Sequence, residues 1–404
     1  MRSEGHSLDL ARALPAYSAP DAIGSSNNVN AQLLHRQLPD EVPPAYDALA
    51  DPKAALQSAA VRSSPLSPRY LAVSTSQHGA LLLRSDGVVD RYSRGCIRRQ
   101  YSAFGPLTHP RAGRTSRGPS HGPDGSPLRY VGVSSGCHQH YLIRSDGCLI
   151  RIPVCSAATT AELRPPPGQR YVGVSSGPHA SYFIRSDGKA ERYRHAARTI
   201  EIVYTPPGWP KVVYTKASAG QRSSWLVRSD GKVDRIQGGQ IDDSVAPTAP
   251  GVMYIGVSDQ LEIQTDKGRA CNWATYLVRD DGAADRVTYQ LFGGVCLTSM
   301  RPPPGSKYVA TSSGHHVSYA LRDDGVLERI KGGVVDSLVQ PECTGAVPAT
   351  GYVGVSAGPQ YSYGLRSDGV AERLWRGKAV DRITALTADE FERKKQERSG
   401  CTIV

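Results

Sequence analysis

Tyr171-Val-Gly-Val-Ser175, Ser176-Gly-Pro-His-Ala180, Ser181-Tyr-Phe-Ile-Arg185, Ser186-Asp-Gly188 and Lys189-Ala-Glu-Arg-Tyr193 form one continuous stretch whose reading decides the fold. Its first segment alternates with the period of two of a half-buried strand, and Ser181–Arg185 reads as a second strand that runs straight into Asp187-Gly188. Asp-Gly between apolar runs signals a tight hairpin, expected here as a type I′ turn with both central residues at positive φ. The chain must double back into a third strand.

Outward from this stretch the pattern occurs seven times. The pairs are Asp86-Gly87, Asp146-Gly147, Asp187-Gly188, Asp230-Gly231, Asp281-Gly282, Asp324-Gly325 and Asp368-Gly369, spaced by 60, 41, 43, 51, 43 and 44 residues. Two residues before each Asp stands an Arg: Arg84, Arg144, Arg185, Arg228, Arg279, Arg322 and Arg366. Four residues after each Gly stands another: Arg91, Arg151, Arg192, Arg235, Arg286, Arg329 and Arg373. In the last unit a third strand, 370–375, leads through Arg376-Gly377 into a fourth, 378–384. Four short antiparallel strands per unit, seven units and no helical period predict an all-β fold, a seven-bladed β-propeller, because radial closure leaves few exposed sheet edges.

The flanks differ from the repeats. Residues 1–66 are rich in Pro, Ala and Ser without sustained periodicity and are expected to be a disordered tail. The propeller is expected over 67–386, with insertions at 103–126 and 259–269 that suit binding loops, and 387–404 as a short helix and C-terminal tail. No apolar run approaches the ~20 residues that cross a bilayer, and the N-terminus lacks the apolar core of a secretory signal. The eight cysteines include no C-x-x-C pair, which points to free thiols without structural zinc. An intracellular protein, cytoplasmic or alternatively nuclear, is expected, with no metal or other cofactor.

The segment Gly314-His-His-Val-Ser-Tyr-Ala-Leu-Arg-Asp-Asp-Gly325, with its counterparts in the other six units, resembles the repeat of the regulator of chromosome condensation (RCC1-like) family. That resemblance implies a seven-bladed propeller. It also raises guanine-nucleotide exchange on a small GTPase, although the family's Trp-Gly after the third strand and its Gly-Gln-Leu-Gly segment are replaced here.

The recurring arginines admit two readings. Circular symmetry would set each series in a ring able to hold a polyanion or an acidic surface. Alternatively each Arg knits the fold by pairing with Asp90, Glu191, Asp234, Asp285, Glu328 or Glu372, and a motif present in every unit more often serves the fold than a site. The second unit has Ile150 where the others carry an acid. Arg98, Arg99, Arg111, Arg114 and Arg117 form the densest basic cluster in a chain of net charge +11, which admits nucleic acid or chromatin as a partner.

No catalytic motif appears, and His138, His179, His315 and His316 recur with the unit, so no catalytic residue is assigned. Pro43-Pro44-Ala45-Tyr46 matches the Pro-Pro-x-Tyr ligand of WW domains. Cys401-Thr402-Ile403-Val404 resembles a prenylation box, beside a modest basic patch that would give only reversible membrane association. The expected function is a non-catalytic, monomeric interaction scaffold or adaptor, with a GTPase exchange factor, a nucleic-acid binder and a ubiquitin-pathway adaptor as alternatives.

Overall fold

The structure, a computed structural model, describes residues 67–400 apart from 78, 94, 104–120, 122–124, 155–159, 222, 248, 263–271, 290–294, 315–316 and 342–349. The expected tail at 1–66 lies outside the described residues, as does most of the 103–126 insertion.

Seven four-stranded antiparallel sheets occupy residues 70–101, 130–163, 171–204, 214–245, 254–300, 308–339 and 352–383, here blades 1 to 7. Each is a simple meander in chain order, so no strand is exchanged between the first blade and the last. First strands of successive blades lie beside one another around the axis, and that of blade 7 lies beside that of blade 1. The seven-bladed propeller read from the repeats is the architecture found.

The Asp-Gly hairpins differ from the expected type I′ turn. All seven glycines have positive φ, from +77° to +86° or thereabouts, as at Gly188 and Gly282, whereas no preceding Asp does. In blade 3 the Gly188 amide donates to the Arg185 carbonyl at 2.9 Å and the Arg185 amide donates to Lys189 O at 2.9 Å. This is a three-residue loop, a right-handed turn closed by one left-handed glycine. The Asp stays in ordinary backbone space, and its carboxylate accepts from the amide two residues on, as Asp187 does from Lys189 at 3.2 Å.

The apolar core is distributed. Seven buried clusters each lie between consecutive blades, for example Leu81, Leu83, Val89, Tyr130, Leu142 and Ile150 between blades 1 and 2. Such wedges suit strands whose side chains alternate between the two faces of a blade, each face meeting a neighbour. The cluster between blades 7 and 1 joins Tyr70, Leu82 and Tyr92 to Tyr363, Leu365 and Ile383. Leu386, from the segment leaving blade 7, packs into it, and its carbonyl accepts from Arg84 at 2.5 Å. Helix α1, Ala388–Gly400, follows and sets Phe391 against this cluster. Thr387 and Glu390 cap it reciprocally: the Glu390 amide donates to Thr387 Oγ1 at 3.3 Å and the Thr387 amide to Glu390 Oε2 at 2.8 Å.

The propeller has two ends, one carrying the Asp-Gly turns and the other the turns between first and second and between third and fourth strands. The first insertion begins at residue 103, just after the fourth strand of blade 1, which ends at Tyr101. In blade 5 the strands flanking the second insertion, Tyr254–Glu262 and Asn272–Arg279, remain paired as far as Glu262 and Asn272, so residues 259–262 extend a hairpin toward the opposite end.

Candidate functional site

The first arginine series is consumed inside the blades. Arg185 donates through Nε to Asp187 at 3.1 Å and through Nη1 to Glu191 at 3.1 Å, while Tyr171 Oη donates to Glu191 at 2.7 Å. The same Tyr–acid–Arg–Asp chain links Tyr214, Asp234, Arg228 and Asp230, and equally Tyr352, Glu372, Arg366 and Asp368. Its acid is buried in six blades. In blade 2, where Ile150 takes the acid's place, Glu162 of the fourth strand comes to Arg144 instead, at 3.3 Å. Burial raises the phenol pKa of Tyr70, Tyr171, Tyr214, Tyr254, Tyr308 and Tyr352, and the adjoining carboxylate raises it further. These phenols are fixed donors. The Arg and Asp residues read from the repeat thus hold each hairpin to its own blade, while the Gly carbonyl accepts from the first-strand Tyr amide of the next, as Gly188 does from Tyr214 at 2.8 Å.

The second arginine series reaches forward to the next blade. Arg151 donates to Tyr193 Oη at 2.5 Å and Arg329 to Arg376 O at 3.4 Å. Arg192 and Arg286 lie so close to Gly239 and Gly333 that an added Cβ would come within 2.5 and 2.6 Å of a guanidinium nitrogen. Their charge is met within the blade: Arg192 by Glu201 at 3.2 Å, Arg235 by Asp242 at 3.4 Å, Arg329 by Asp336 at 3.3 Å and Arg373 by Asp381 at 2.6 Å.

A third ring was not read from the sequence. In six of the seven blades the serine four residues after the first-strand Tyr accepts a backbone N–H of the next blade. Ser74 accepts from Ser135 at 2.9 Å, Ser134 from Ser176 at 2.9 Å, Ser175 from Ala219 at 2.9 Å, Ser258 from Ser313 at 2.7 Å, Ser312 from Ala357 at 2.8 Å and Ser356 from Thr75 at 3.0 Å. The last bond closes blade 7 onto blade 1. The signal was present as Tyr-x-x-x-Ser in all seven units, including Tyr214 to Ser218, but short polar residues at a strand end read as turn composition. This collar surrounds a polar axial depression of about 550 Å³ rimmed by Gln77, Gln221 and Gln360. This end is called the serine end below.

Two departures from symmetry stand on this frame. Two residues after the first-strand Tyr, six blades have Gly or Ala and blade 4 has Lys216, exposed on the strand that lines the axis, its ammonium pKa lowered by desolvation. At the junction of blades 7 and 1 the serine-end depression continues, through Ser76, Gln77 and Gln360, into a cleft of about 740 Å³ lined by Arg91, Arg98 and Arg373.

The remaining sequence candidates distribute as follows. Arg98 and Arg99 lie on the fourth strand of blade 1, Cys96–Tyr101, both exposed, with Arg99 over the Tyr101 ring at 5.5 Å. Arg111, Arg114 and Arg117, Pro43, Pro44 and Tyr46, Cys401, His315 and His316 lie outside the described residues. His138 meets His195 edge to face at 6.4 Å. His195 Nδ1 faces the Pro178 carbonyl at 3.3 Å, which makes Nδ1 the donor and Nε2 the acceptor for Ser181 Oγ at 2.8 Å. Ser181 is fully buried, so this Ser–His pair is a packing element. Burial lowers the His195 pKa to about 4.

No family model and no curated protein matches the chain. Among solved structures it is similar to the β-propeller domain of Myceliophteria thermophila Cps50 (Swd1), at 11% identity over 78% of this chain and 97% of that one, TM-score 0.51. It is also similar to yeast RCC1 (Prp20), solved bound to Kap60, at 12% identity over 82% and 83% of the two chains, TM-score 0.49. Human WBSCR16 aligns at 12% identity over 71% and 84%, TM-score 0.48. The likeness is one of fold. In architecture the chain is a seven-bladed β-propeller.

Proposed function

We propose that this protein is a non-catalytic interaction scaffold that docks a protein partner on the serine end of its propeller. One observation carries the reading. At the Asp-Gly end the repeated charges are satisfied blade by blade, whereas at the serine end a polar axial depression runs into the blade 7–blade 1 cleft, where among the described residues Arg91 and Arg98 have no carboxylate partner. Binding sites are concave and use polar groups that the scaffold holds but does not itself consume. The six collar bonds make this end rigid, which limits the ordering cost of docking.

Site-specific photo-crosslinking tests the assignment. A photoreactive residue at Gln77, Gln221 or Gln360 is expected to give discrete adducts in cells, while one at Lys189 or Lys232, at the Asp-Gly end, gives none. Adducts confined to the Asp-Gly end would overturn it.

A further inference from the structure

We propose that the cleft between blades 7 and 1 binds a phosphate monoester, with Arg98 as its principal anchor. The site arises from one charge reversal. In blades 3, 4 and 6 the fourth strand carries a bulge opposite the second arginine, and the extra residue is an acid. In blade 3, Arg192 pairs with Ile202 and Tyr193 with Ile200, leaving Glu201 as the bulged residue that neutralises Arg192. Asp242 and Asp336 hold the same place. In blade 1 the bulge is conserved in form, Arg91 opposite Arg99 and Tyr92 opposite Ile97, but its extra residue is Arg98.

Blade 1 therefore gathers like charge where its counterparts pair opposite charge, an arrangement that destabilises a sheet unless something neutralises it. Among the described residues neither Arg91 nor Arg98 has a carboxylate partner.

Backbone geometry supplies the space. At the junctions where the third-to-fourth-strand turn is described in blades 4, 6 and 7, its glycine packs against the arginine of the preceding blade: Gly239 on Arg192, Gly333 on Arg286 and Gly377 on Arg329. Gly95, their equivalent in blade 1, has nothing within 4 Å of an added Cβ. Arg373 of blade 7 lies instead over the Tyr361 ring at 4.5 Å. Among the described residues, the cleft at this junction has Arg91, Arg98 and Arg373 in its lining, Gln77 and Gln360 as neutral donors, and no carboxylate.

Among the described residues, with Arg373 offset by Asp381, about two positive charges remain, which matches the charge of about −1.5 to −2 on a phosphate monoester. Guanidinium groups favour such an oxyanion through bidentate hydrogen bonds. The proposal rests on the serine end being the docking end, and it names the chemistry that end would recognise.

The test uses the full chain and four probes at matched ionic strength: O-phosphoserine, inorganic phosphate, a phosphoserine peptide and its unphosphorylated form, with sulfate as the competing anion. Calorimetric titration is expected to show saturable binding of O-phosphoserine. Arg98→Glu, which restores the charge pattern of blades 3, 4 and 6, is expected to weaken it at least ten-fold without loss of thermal stability, and Lys232→Glu less than two-fold. A phosphopeptide binding ten-fold tighter than O-phosphoserine would identify a phosphorylated protein segment as the source. Equal affinities would identify a free phosphorylated metabolite, and either supports the site. Absence of saturable binding, unchanged affinity in Arg98→Glu, or equal displacement by sulfate overturns it. Because these probes are read without any partner, their failure alongside serine-end crosslinks removes only the phosphate chemistry. Crosslinks at the Asp-Gly end alongside intact probe binding remove only the docking assignment.

Discussion

The two ends of this propeller are built from the same repeat and treat charge in opposite ways. At the Asp-Gly end every first-series arginine is paired with the Asp of its own hairpin and with a carboxylate of its own blade, even in blade 2, where Glu162 stands in for the acid missing at Ile150. Near the serine end the second series is neutralised in blades 3, 4, 6 and 7, and in blade 1 the neutralising position carries Arg98. Repetition marks what the fold requires at each blade. Its failure at blade 1 coincides with the surface to which we assign binding.

The largest expected effect tests the claim that the Asp-Gly end is structural. Asp234 is 1% exposed and accepts from Tyr214 at 2.8 Å, Ser244 at 2.7 Å and Arg228 at 3.3 Å. Asp234→Ala leaves buried Arg228 half-compensated and should cost about 3–5 kcal/mol in denaturant unfolding. Glu162→Ala should cost less, because Glu162 is 22% exposed. A loss below about 1 kcal/mol for Asp234→Ala would break the comparison.

Next in size is the turn itself. Gly188 has φ +77°, and an added Cβ would stand 2.3 Å from Val213 Cβ and 3.1 Å from its Cα. Gly188→Ala combines backbone strain with a clash, and about 2–4 kcal/mol of destabilisation is expected by the same measurement. The collar sharpens the other side of the comparison. Ser312→Ala removes the acceptor for the Ala357 amide at 2.8 Å and should cost about 1–2 kcal/mol, together with faster hydrogen exchange at that amide.

A pH dependence is also expected. His195 has its pKa lowered to about 4, against about 6.5 in an unfolded chain, so between these values the unfolded state binds more protons. Its contribution to stability is complete above pH 6.5 and is lost as pH falls toward 4, by no more than about 1.4 kcal/mol per pH unit. His195→Gln should flatten that part of the stability profile, measured by unfolding at stepped pH.

Much of the fold was legible in the chain because strand period and turn chemistry are local. Strands 171–175 and 181–185 stand within one residue of their expected bounds, and the unit count gave the blade count. The turn type was misread because Asp-Gly is compatible with two hairpins, and the choice falls to the Arg185 to Lys189 amide pairing and to the Arg–Asp chelate above it. The site was less legible. Arg98 appeared in the sequence as one member of a basic cluster with Arg99, Arg111, Arg114 and Arg117, and nothing local marks it as the counterpart of Glu201, Asp242 and Asp336.

By itself the sequence determined seven units, four strands in each, the reversal at every Asp-Gly, and the two arginine series, since each depends on contacts between residues near in the chain. Only the tertiary structure decided that the first series acts within blades and the second between them, that seven serines sit on the axis, and that Gly95 stands clear of Arg373. Those facts depend on how one blade is rotated against the next, and that rotation is set by apolar wedges assembled from residues about forty to sixty positions apart.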